Sequence, residues 1–141
     1  MSTLDTLIRI NRWKLDERQR QLGELERLFE RLGNEAVRLE QELTREQLVA
    51  GTSAEAAYAY AGYARDLIAR REKLAASIAE VEGQLIVARE ALAESFGEVK
   101  RYEIAAANRQ KRDRVAGDRR QRIVQDEVAL QLYRRRNEAS G

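Results

Sequence analysis

The sequence predicts an all-α fold: an antiparallel two-helix coiled-coil hairpin with a longer, overhanging second helix. Three observations carry that expectation. The chain has no proline and is 35% charged, and its richness in Ala, Glu, Leu, Arg and Gln belongs to long helices rather than to a thick globular core. Two apolar stretches repeat with a 3.5-residue period. One helix-stop signal, followed at once by a helix-start signal, separates them. At 141 residues the chain suits one domain, with residues 1–141 forming a single hairpin.

The first helix is expected over about residues 3–50. One heptad position takes Ile8, Leu15, Leu22, Phe29, Ala36 and Leu43; its partner, three residues on, takes Leu4, Asn11, Arg18, Leu25, Leu32, Leu39 and Glu46. Most of these are large and apolar, so the seam holds for about six heptads, beyond the three or four that define a coiled coil. The turn is expected at residues 51–52, in "VAGTSAEAA". Gly51 can take the left-handed conformation that ends a helix. Thr52 can cap the next one, with Glu55 completing a T-x-x-E capping box.

The second helix is expected over about residues 53–137. Its seam takes Ala64, Arg71, Ile78, Leu85, Leu92, Val99 and Ala106 at one position, and Tyr60, Leu67, Leu74, Val81, Ala88, Ser95 and Tyr102 at the other. A 3.5-residue period implies left-handed supercoiling, and a short connection implies antiparallel neighbours. Folding about residues 51–52 sets Phe29 near Leu74, Leu22 near Val81 and Leu4 near Val99. The polar seam residues Asn11, Arg18 and Arg71 are expected to fix register at some cost in stability. Because the seams satisfy one another, the isolated chain is expected to be a monomer.

The first helix runs out of length before the second does. The overhang "QRIVQDEVALQLYRRR" then has an apolar stripe of Val124, Val128 and Leu132 beside Tyr133, and a basic end. Gly117, Asp113 and Asp118 make the approach to it a weaker helix. Such a stripe either meets another chain or frays. The net charge of +2 conceals an imbalance, with 12 Lys/Arg against 5 Asp/Glu in residues 100–136. That excess reads either as a solvated basic face or as an interaction surface.

Catalysis is not expected. The chain has no His and no Cys, hence no neutral-pH imidazole base and no thiolate nucleophile. No phosphate-cradling glycine loop and no metal-ligand spacing is present, so no cofactor and no metal are expected. Nucleic acid could be held through phosphates alone, but no reading motif or stacking platform accompanies the charge. No apolar run approaches the roughly 20 residues that span a bilayer, and the N-terminus is unlike a secretory signal; the cytoplasm is the simplest expectation. After the turn, "EAAYAYAGYARDL" clusters Tyr58, Tyr60 and Tyr63 among alanines. Tyr60 belongs to the seam. Tyr58 and Tyr63 lie outside it, and either contact a partner, as tyrosine often does, or cover the seam's end.

The sequence resembles the FliJ family of flagellar type III export proteins over nearly its whole length. The residues that carry the resemblance are "LDTLIRINRWKLDERQRQLGEL" at the start, "YAYAGYARDL" after the turn, and "RRQRIVQDEVALQLYRRR" near the end. Within the last, Asp126, Glu127 and Ala129 match the family's C-terminal signature. The resemblance implies a coiled coil similar to the central stalk of rotary ATPases, peripheral at the cytoplasmic face of the inner membrane. Its implied partners are the export ATPase hexamer, the export gate protein and export chaperones. ATPase contact is expected at Val124, Asp126, Glu127, Val128, Leu132, Arg134, Arg135 and Arg136, and gate contact at Tyr58, Tyr63 and Leu67. Two alternatives stand beside it: the equivalent stalk of a virulence secretion system, and a basic nucleic-acid-binding coiled coil.

Overall fold

A computed structural model of the chain describes residues 2–140. Two helices account for nearly all of them: α1, Thr3–Ala50, and α2, Ala54–Ser140. No strand occurs among the described residues. The helical hairpin expected from the seams is the observed fold.

The helix ends are set by side-chain caps. Ser2 Oγ accepts the Asp5 N–H at 3.1 Å, satisfying one of the orphan donors of the first turn of α1. At the connection, the Thr52 N–H donates to the Val49 carbonyl at 3.1 Å, and its hydroxyl donates to the same oxygen at 2.7 Å. Ser53 Oγ accepts the Ala56 N–H at 3.0 Å. The cap of α2 is therefore Ser53 rather than Thr52, whose hydroxyl is spent closing α1. Gly51 likewise departs from expectation: no described residue has positive φ. The connection is three residues long, 51–53, and needs no left-handed step.

Burial follows the heptads. The buried residues Ile8, Asn11, Leu39, Leu43, Ala64, Leu67, Val81, Leu85, Ser95 and Val99 all occupy seam positions. Among the remaining seam residues, only Arg18 and Arg71 are exposed. Shielding from water of one stripe per helix is what holds such a pair together.

The chain divides into two compact units, residues 11–97 and residues 2–10 with 98–140. In the first, Leu39, Leu43 and Leu67 form a core cluster against which Leu74 packs. This placement corrects the expected fold-back. Symmetry about residues 51–52 would set Leu67 level with Ala36 and Leu43 level with Tyr60, whereas Leu67 meets Leu39 and Leu43. The pairing is displaced by about one heptad near the turn. The reason is physical: a seven-residue slip keeps every seam position on the seam, so the pattern alone does not choose between registers.

In the second unit, Ile8 and Val99 are buried, while every residue from 107 to 140 is exposed. α2 nonetheless continues unbroken through Asp113, Gly117 and Asp118. A Cβ added at Gly33, Gly62, Gly83, Gly97 or Gly117 would meet open space. No contact within the chain requires glycine at those positions.

Candidate partner-binding surfaces

The residues after the connection form the first surface, within the unit of residues 11–97. Beyond Glu46 on α1 and before Tyr60 on α2, no side chain is fully buried. Tyr58 is 87% exposed and Tyr63 38%. The Tyr63 hydroxyl donates a hydrogen bond to Glu42 Oε1 on α1. The hydrogen bond to that carboxylate holds the phenol above the ordinary tyrosine range, because deprotonation would break it and set two negative oxygens together. Tyr63 therefore ties the two helices while leaving part of its ring in solvent. Leu67 is different. At 1% exposure it is the most thoroughly buried large side chain described, and it faces the Leu39–Leu43 cluster rather than the surface. The expectation that Leu67 itself touches a partner is corrected: its place in the seam makes it a support for the turn end.

Arg71 and Glu40 add a second cross-helix contact, with Nη1 to Oε1 at 3.2 Å. Sequence reasoning did not find the Glu42–Tyr63 and Glu40–Arg71 pairs. The signal was available, since Glu40 and Glu42 flank the α1 seam on either side, but the partner of Arg71 depends on a register the sequence leaves open.

The arm of α2 forms the other surface, in the unit of residues 2–10 with 98–140. Val124, Val128 and Leu132 lie at i, i+4 spacing and are 58%, 49% and 59% exposed. Ile123, Leu130 and Tyr133 are also exposed, and at 100° per residue they fall on the opposite side of the helix. Apolar residues thus occur on two faces of the arm, more than the single stripe read from the sequence. Asp126, Glu127, Arg134, Arg135 and Arg136 are exposed as well. Thirty-four consecutive exposed residues cannot be stabilised by tertiary packing, and the segment's helicity rests on propensity and i,i+4 pairs alone.

Further apolar residues, not singled out from the sequence, are exposed without sharing one helix face. Trp13, Ile86, Val87 and Phe96 are each more than half exposed, outside the seam positions. The grooves of the molecule are open flanks of the helices, such as that between Arg38, Leu39 and Glu42 of α1 and Arg70, Lys73 and Leu74 of α2. No cluster of three or more potential metal ligands occurs among the described residues, and none of their helices is long and apolar enough to cross a membrane.

Two long helices paired along their seams define a class: an all-α helical hairpin of coiled-coil type. The chain belongs to the flagellar FliJ protein family, whose profile matches residues 1–138, and so to the components of the flagellar protein export apparatus. Among curated proteins and among solved structures, nothing matches the chain.

Proposed function

We propose that this chain is the central stalk and regulator of the export ATPase ring, and that it links the ring to the export gate protein and to export chaperones at the cytoplasmic face of the inner membrane. One observation carries this reading: α2 continues as helix for residues 107–140 with every side chain exposed. A helix that buries nothing is stable in function when a partner covers it. The arm's Val124, Val128 and Leu132 pack on subunit loops of the ring. Arg134, Arg135 and Arg136 meet acidic groups there, and the excess of basic charge steers docking. Asp126 and Glu127 make polar contacts or intrahelical pairs. The stalk catalyses nothing; it shifts ring subunits between states by contacting those states differently.

At the turn end, Tyr58 and Tyr63 are the gate-facing residues, with Leu67 beneath them as support. The family match favours flagellar export over the virulence stalk. The rival nucleic-acid reading rests only on the arm's charge. The test is deletion of residues 121–141, assayed for ATPase stimulation and for DNA retention at physiological salt. Loss of stimulation supports the stalk. Retained stimulation, or DNA binding by an arm the ATPase ignores, overturns it.

A further inference from the structure

The register of the hairpin near its turn is one of at least two that the heptad pattern permits. The apolar seam tolerates a slip of one heptad, because each helix then still offers a seam residue at each level. The connection does little to forbid the slip. Residues 47–49 and 51–55 are all exposed, as are residues 57–59, so unwinding a turn there uncovers almost no buried surface.

Arg71 stands at a seam position yet is exposed, and its guanidinium reaches Glu40 on the flank of α1. Stepping along that flank by heptads gives Gly33, Glu40 and Gln47. On that flank, the observed register sets an acid beside Arg71 and the symmetric fold-back does not. In the symmetric fold-back Arg71 would be level with Leu32 and flanked by Gly33, around which a side chain would find open space. The Tyr63–Glu42 contact does not discriminate, because Glu42 is within reach of Tyr63 in either arrangement.

We infer that the Arg71–Glu40 pair is a register selector, holding the hairpin one heptad away from the symmetric fold-back that the seams equally permit. The selector also sets how far the first turns of α2, with Tyr58, stand clear of the end of α1. This inference is independent of which partner binds there.

The experiment uses the full chain, which has no native cysteine, with spin labels at Gln41→Cys and Ala76→Cys. These sites are exposed and not level with each other, so a slip lengthens their separation. One heptad is an axial displacement of about 10 Å. The parent should show one major distance. Arg71→Leu, which makes the seam uniformly apolar, should add a second, longer one. Moving the acid by one heptad, Glu40→Ala with Gly33→Glu, should make the longer distance the major one, whereas the swap Glu40→Arg with Arg71→Glu should restore the parental distance. A single parental distance in both Arg71→Leu and the moved-acid variant overturns the inference, as does a swap that fails to restore it. Should the moved-acid variant lose its helicity, Arg71→Leu against Arg71→Lys decides: the lysine must keep the parental distance and the leucine must not.

Discussion

Tyr63 shows how one side chain can serve two purposes, and how they are separated. Its hydroxyl is engaged by Glu42, and its ring is partly open to solvent. Tyr63→Phe keeps the ring and should retain binding of the gate protein, while Tyr63→Ala should weaken it by more than about 1 kcal/mol; calorimetric titration of the two variants distinguishes them. Because the folded pKa is raised, any stability the contact gives is fully present below the unfolded tyrosine range and is lost only as pH rises through the folded value. Absorbance titration should therefore show one tyrosine ionising above the ordinary range, absent in Tyr63→Phe, and thermal melts should not change with pH near neutrality on this residue's account. Much of this is invisible in the sequence. An aromatic after a turn suggests a contact, but that Glu42 is its partner follows only from the packing of the two helices. Leu67 was legible as a seam residue and for that reason could not also be a surface residue.

The two helices were legible because their cause is local. A 3.5-residue apolar period needs no knowledge of the partner, and of the residues placed on the seams only Arg18 and Arg71 proved exposed. What failed depends on neighbours. Thr52 and Ser53 are both competent caps, and the choice fell to Ser53 because Thr52 bonds back to Val49. The pairing of helices was misread by about one heptad because slip by seven residues preserves the pattern. Chemical denaturation can test the energetics of the elements. Leu67→Ala or Leu85→Ala should cost about 2–5 kcal/mol, as full burial implies. Leu25, only partly buried, should cost less. Ser53→Ala should cost roughly 1 kcal/mol and Thr52→Ala less; the reverse order would return the cap to Thr52. Gly83→Ala, which meets open space, should stabilise the helix by roughly 0.5–1 kcal/mol.

The molecule as a whole combines a hairpin that satisfies its own seams with a helical arm that satisfies nothing within the chain. Sequence alone revealed that division, because one seam ends when its partner helix does and the basic excess begins at about the same place. The second apolar face of the arm escaped notice since Ile123, Leu130 and Tyr133 do not extend the i, i+4 stripe. Charge reversal of Arg134, Arg135 and Arg136 to Glu should abolish the salt-sensitive part of ATPase binding while leaving the apolar contacts to set what remains. On the proposed function, driving the ATPase is the work of the arm and not of the hairpin. This is tested most directly by measuring ATP hydrolysis by the export ATPase with the full chain and with a chain lacking residues 121–141, alongside the thermal melt of each. Truncation should leave the melt nearly unchanged and abolish stimulation. Full stimulation by the truncated chain, with its hairpin intact, would contradict it.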